Sequence, residues 1–178
     1  SDRILKEMNR QHTANEYRAL VKRMWEILPN CSISQDIIVG FPGETEQDHQ
    51  DTLQLMEDIK FTFGYMYKYS ERPGTMAARK FEDNIPEATK KRRLTEIVDA
   101  QRAHAAFRTQ QFLGKTTEVL VEKESKKNEN QWSGRNEQGI GVVFPKGNYK
   151  PGDFVPIKIN DCTSATLIGV PLAPEGRI

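Results

Sequence analysis

The chain has 178 residues, of which 37% are hydrophobic and 29% charged, enough to bury a sizeable core in one or two domains of ordinary size. Its 26 basic and 25 acidic residues leave a net charge of +1, which excludes a global field that draws in nucleic acid, so any such affinity must come from local placement of cations. No run approaches the ~18 apolar residues of a membrane span, and the opening SDRILKEMNR lacks the apolar core of a secretory signal, so a cytoplasmic protein with no membrane partner is expected.

Taken in chain order, the opening residues already read as a helix with no initiator Met before them, and the chain is expected to be part of a longer protein. Thr13 and Glu16 stand at capping-box spacing ahead of an amphipathic helix whose Tyr17, Leu20, Val21, Met24 and Leu28 share a face. After Pro29 and Asn30, SISQDIIVG predicts a largely buried strand, and Gly43 closes the turn GFPGET. Thr45 and Asp48 cap the next helix, with Leu53, Met56 and Ile59 on one side. FTFGYMYKYS then alternates, with Phe61, Phe63, Tyr65, Tyr67 and Tyr69 on one parity.

Strands separated by helices of this length imply crossovers and a parallel sheet. Residues 1 to about 75 therefore predict part of a β/α barrel or doubly wound sheet. Pro86 opens a long helix in which Leu94, Ile97, Val98, Gln101 and Ala105 share a face, and it leads to Gly114. From Lys115 the pattern becomes about five short alternating runs broken by Gly, Asn and Pro, as in a small all-β barrel, with KESKKNEN as a mobile hairpin loop. The expected domains are 1–114 and 115–178.

Asp36 is the first candidate site residue, because a carboxylate within an apolar strand is costly to bury without a partner. Strand parity places Ser34 beside it, and a hydroxyl with a carboxylate suits the vicinal hydroxyls of a ribose; a structural ion pair is the alternative. Tyr65, Tyr67 and Tyr69 suit either adenine stacking or a core. Arg10 suits a carboxylate, and Arg72 lies on the irregular SERPGT segment. His12, His49 and His104 have no metal or triad spacing, and Cys31 and Cys162 are expected to be small reduced core residues. In the β region Lys126, Lys127, Trp132, Arg135 and Phe144 interleave cations with aromatics, as in barrels that bind looped RNA, although glutamates at 122, 124 and 129 also fit a solvated hairpin.

Read in order, SDRILKEMNRQHTANEY, SISQDIIVGFPGETEQD, YMYKYSERPGTMAA and VLVEKESKK followed by SGRNEQGIGVVF resemble the radical S-adenosylmethionine tRNA methylthiotransferases. DIIVGFPGETE and YSERPGT are similar across methylthiotransferases generally, whereas ESKK and SGRN point to the branch acting on isopentenyl-adenosine. The resemblance implies an α/β fold in which the end of a radical SAM barrel, with a covering helix, is followed by a TRAM RNA-binding β-barrel. It implies S-adenosylmethionine and two [4Fe-4S] clusters as cofactors, tRNA anticodon stem-loop as substrate and an electron donor as partner, with sulfur and a methyl group delivered to C2 of the adenine.

By the same resemblance Ser34 and Asp36 face the ribose, Arg10 the methionine carboxylate and the backbone around Tyr67 the adenine; Arg72 and Arg79, with Lys126, Lys127, Trp132 and Arg135, face tRNA. The cysteine triads that hold such clusters are missing, so this piece alone is expected to be inactive, and a barrel cut partway leaves a strand edge for pairing with a second copy. Two other functions fit: a non-catalytic RNA-binding adaptor, and a methylthiotransferase acting on a ribosomal protein.

Overall fold

Helix starts in the first half of the chain follow the capping spacings of the sequence. In the computed structural model, which describes residues 1–172, a short α1, Asp2–Glu7, precedes α2, Ala14–Ile27. Glu16 N–H donates to the Thr13 hydroxyl at 3.2 Å, and Thr13 N–H donates to the Glu16 carboxylate at 2.7 Å. Strand β1, Ser34–Val39, leads to α3, Glu46–Ile59, where Thr45 and Asp48 repeat the reciprocal cap. Each box satisfies backbone donors that a helix start leaves without partners.

Strand β2, Phe63–Lys68, lies parallel to β1, with Ser34 opposite Phe63, Asp36 opposite Tyr65 and Ile38 opposite Tyr67. A short α4, Met76–Lys80, and the long α5, Glu87–Gln110, follow. The chain divides into two compact units, Ser1–His104 and Ala105–Ile178, so the division falls inside α5.

The first unit builds its core on one side of the two-stranded sheet. Val21, Val39, Met56, Ile59, Phe61 and Ile97 are buried together, with Ile37 and Met66 of the strands packed against them. The strand period of two sends Ser34, Asp36, Ile38, Phe63, Tyr65 and Tyr67 to the opposite side, and all six are exposed. The expectation of a largely buried strand is thus corrected: helices cover one face of β1–β2 only. Asp36 bears no burial cost, and the tyrosines of β2 are not core.

Helix α2 also meets the core along a different stripe from the expected one. Tyr17, Val21 and Trp25, spaced by four, take the covered side, while Leu20 and Leu28 are exposed. The indole offers more apolar area than either leucine, which favours the stripe that contains it. Cys31 and Cys162 are half-buried free thiols, and Cys162 packs against the barrel core as expected.

In the second unit β3 (Thr116–Ser125), β4 (Asn128–Asn136), β5 (Gly141–Pro145), β6 (Phe154–Cys162) and β7 (Thr166–Pro171) close into a barrel in the order β3-β4-β5-β7-β6. All pairings are antiparallel except β5 with β7. Alternation is strict in β6, where Val155, Ile157 and Ile159 point inward to Val119, Val121, Val142, Phe144 and Leu167. Register shifts in β3 supply the bulges that bend a strand around so small a barrel. KESKKNEN is not a mobile loop: Ser125 pairs with Asn128, leaving Lys126 and Lys127 as a two-residue turn.

Deleting the Ile157 side chain to Ala should cost the barrel ~2–5 kcal/mol, whereas Lys158→Ala, which is outward-facing, should cost under ~0.5 kcal/mol. Hydrogen exchange of the barrel amides in both variants checks this, and equal protection would contradict the inward packing of Ile157.

Candidate functional site

The turn after β1 is held from behind by the first turns of α5. Gly40 has a positive φ of 71°, and a Cβ there would lie 2.5 Å from Lys90 Cγ, so only glycine fits both the conformation and the space. Glu44 Oε1 accepts from Gly40 N–H at 2.9 Å and from Arg93 Nη1 at 2.7 Å. Arg93 donates as well to the Glu44 carbonyl at 3.1 Å and to Glu46 Oε2 at 3.2 Å. Both Arg93 and Glu44 side chains are only 5% exposed.

Lys90, also buried, donates to Asp83 at 2.5 Å, and Asn84 accepts from Gly43 N–H at 2.8 Å. The Arg92 guanidinium, with Arg93 beside it, holds the Glu46 carboxyl down at about 2 against its partial desolvation. None of these α5 contacts is foreshadowed by hydrophobic periodicity, because the covered side of the helix carries charge. The same holds for His49 and His104, which are buried and bonded to Glu96 at 2.7 Å and Glu57 at 2.9 Å.

On the front of the sheet the six exposed side chains form one continuous face. It combines the Ser34 hydroxyl and Asp36 carboxylate with the rings of Phe63, Tyr65 and Tyr67 and the aliphatic Ile38. Tyr65 is 62% exposed. Such a face can accept hydrogen bonds from vicinal hydroxyls at one place and stack a flat heterocycle at another. A groove of about 490 Å³ elsewhere, lined by Arg18, Val21, Trp25 and Asp58 among others, contains none of the sequence-predicted site residues.

Arg10 stands outside the first helix, which ends at Glu7, and is exposed beyond Asn9, whose φ is 56°. Arg72 is exposed on the irregular segment as expected, and its carbonyl accepts from the Thr75 hydroxyl at 2.8 Å. Arg79 lies on α4 and donates to the Gly74 carbonyl at 2.8 Å.

In the barrel, Lys126 and Lys127 project at the hairpin tip and Arg135 is exposed, with Glu122 3.5 Å from its Nε. Trp132 is half-buried against the barrel core, its indole nitrogen enclosed, with Lys146 Nζ 5.0 Å above the ring. Phe144 is fully buried. The interleaving of cations with aromatics along β4–β5 therefore splits: the cations face solvent and both aromatics serve the core. Lys146, which also donates to Glu124 at 2.5 Å, was not a candidate in the sequence.

No group of three or more His, Cys, Asp or Glu among the described residues is placed to hold a metal ion, and no helix among them is long and apolar enough to cross a membrane.

Five short strands closed into one barrel make a small all-β module, and residues 110–172 match the TRAM domain family. The whole chain is similar to proteins named tRNA-2-methylthio-N(6)-dimethylallyladenosine synthase. The one from Christiangramia forsetii is 62% identical over 97% of this chain and 36% of that protein. The one from Flavobacterium johnsoniae is 64% identical over 95% and 35%, and that from Bacteroides thetaiotaomicron 47% over 95% and 37%. The chain spans little more than a third of the length of these relatives.

Asp48 ties the start of α3 to α1. Its burial favours the neutral acid, but hydrogen bonds from Arg3, Ser1 and Thr45 outweigh that and hold the carboxyl below its usual range. A depressed folded-state value contributes stability above the unfolded value, which is lost as pH falls through the folded one. Asp48→Asn should therefore lower the melting temperature at pH 7, with the gap from wild type closing below about pH 4. A pH-independent gap in thermal melts would contradict this.

Proposed function

We propose that the chain is part of a tRNA methylthiotransferase of the cytoplasm, which places a 2-methylthio group on N6-isopentenyl-adenosine beside the anticodon. Identity of 62% across 97% of the chain to a synthase of that name carries the reading. Within it, residues 1–114 are the end of a radical SAM β/α barrel with its covering helix, and β1–β2 are two of its parallel strands. Residues 115–178 are the TRAM domain that docks tRNA.

The uncovered face of β1–β2 fits S-adenosylmethionine. Asp36 and Ser34 would take the ribose hydroxyls, the neighbourhood of Tyr67 the adenine, and Arg10 the methionine carboxylate. When bound and reduced, this cofactor supplies a radical able to abstract hydrogen from an unactivated position. The chain's own part is to bind and orient it, with the Glu44–Arg93 clamp fixing the turn where β1 ends. Arg72, Arg79, Lys126, Lys127, Trp132 and Arg135 would contact the anticodon stem-loop.

Iron–sulfur clusters do not fit the residues present. A cluster needs three or four thiolates from one place, and Cys31 and Cys162 belong to different units. The 178-residue chain is inert by itself, its cluster ligands and electron donor being supplied from outside it. The adaptor reading draws on the TRAM barrel and those missing cysteines, and neither accounts for the similarity of the first unit to the synthases. The ribosomal-protein reading is disfavoured by the tRNA substrate in the relatives' names.

Two measurements test the proposal. Mass spectrometry of tRNA nucleosides from cells lacking the parent gene should show loss of the 2-methylthio mark with accumulation of the prenylated adenosine; an unchanged profile would reject the tRNA reading. In the full-length protein Asp36→Ala should weaken S-adenosylmethionine binding about tenfold or more, as expected for losing a charge-assisted hydrogen bond. Unchanged calorimetric affinity would remove Asp36 from the site.

A further inference from the structure

Three side chains stand in one row on the outer wall of the barrel. Leu120 of β3 lies opposite Arg135 of β4 on one side and opposite Phe154 of β6 on the other. Their sequence neighbours Val119, Val121, Gly134, Asn136 and Val155 are buried, so the strand period turns the three outward. Phe154 is 65% exposed, and the Arg135 side chain 64%. Pro156, the next outward residue of β6, opposes Glu118 and extends the open ground beside the ring.

An exposed phenyl ring in this position contributes nothing to the barrel core. Among the aromatic residues of the barrel strands β3–β7, Trp132 packs against the core under Lys146, and Phe144 is buried within it. Phe154 alone among them presents its ring to solvent. The apolar ground is one ring, two leucines and a proline, Leu172 lying across from Pro156 with its N–H on the Pro156 carbonyl, and it is bounded by Glu118, Glu122 and Lys158. That is far less than the ~800 Å² a side that a stable protein partner requires. One nucleobase is of the right size.

We infer that Phe154, Leu120 and Arg135 form a stacking platform for an unpaired base of an RNA loop; this rests on the RNA-binding reading of the barrel given above. Looped RNA splays out bases that stack on aromatic rings and on guanidinium planes. Two strand spacings, about 10 Å, separate Phe154 from Arg135, so a base on the ring leaves its flanking phosphate within reach of the guanidinium. Glu122, 3.5 Å from Arg135 Nε, orients that guanidinium over the same wall. The RNA surface of the barrel thus extends from the Lys126–Lys127 tip along the outside of β4, β3 and β6.

The test uses the 178-residue chain and a hairpin RNA with a single-stranded purine loop carrying 2-aminopurine. Wild-type binding should quench the 2-aminopurine. Phe154→Ala should remove the quenching and weaken affinity roughly tenfold, without changing the slope of affinity against salt or the melting temperature. Phe154→Trp should restore both signals, and Arg135→Gln should flatten the salt slope by about one ion.

Retained quenching and affinity in Phe154→Ala, while a Lys126→Ala, Lys127→Ala double variant loses affinity, would overturn the platform and leave the RNA reading standing. A change of sedimentation in Phe154→Ala, with RNA binding intact, would overturn it in favour of a protein contact. No binding by wild type would remove the RNA reading and the platform with it.

Discussion

The buried ion pair between Arg93 and Glu44 is the interaction on which the first unit depends. Taking two such charges out of water is costly, and hydrogen bonds to surrounding groups offset that cost, although Arg93 Nε is left without a partner. Here Glu44 also receives the Gly40 amide, and Arg93 also reaches the Glu44 carbonyl and Glu46. The result is a fixed backbone path out of β1, with α5 locked to the turn by direction-specific bonds rather than by apolar contact alone. Lys90 against Asp83 and Gln101 on the Phe61 carbonyl extend the same principle along the helix.

That arrangement explains what was and was not legible in the sequence. Capping boxes at Thr13 and Thr45 were readable because both partners lie three residues apart and act locally. The parallel pairing of β1 and β2 followed from the intervening helix. The number of barrel strands followed from alternation and turn residues. Burial of Lys90, Arg93 and His104 was not readable, since their partners Asp83, Glu44 and Glu57 are distant or on another face, and the charge itself argues for solvent. Parity placed Ser34 and Asp36 together correctly, but parity cannot say which faces of a sheet are covered, so the burial of Asp36 was misjudged.

The same limit applies in the barrel. Composition brought Trp132, Phe144 and Arg135 together as one mixed patch, whereas the pleat separates them, with Arg135 outward and the rings inward. Cross-strand register, which sequence alone does not provide, places Arg135 in a row with Leu120 and Phe154. The candidate cofactor face depends on register in the same way: Asp36 meets Tyr65 only because β1 and β2 pair without offset between Ser34 and Phe63.

Closure of the barrel joins β3, the earliest of its strands, to β6, and seats β7 between β6 and β5. During synthesis β3, β4 and β5 therefore leave the ribosome with an open edge on each side, and neither edge can be filled until the last two strands follow. Non-local pairings of this kind are slow to form and leave strand edges transiently available to other chains. Bulges in β3 and the lysine pair at its hairpin disfavour such adventitious pairing, so features that shape the finished barrel also guard the nascent one.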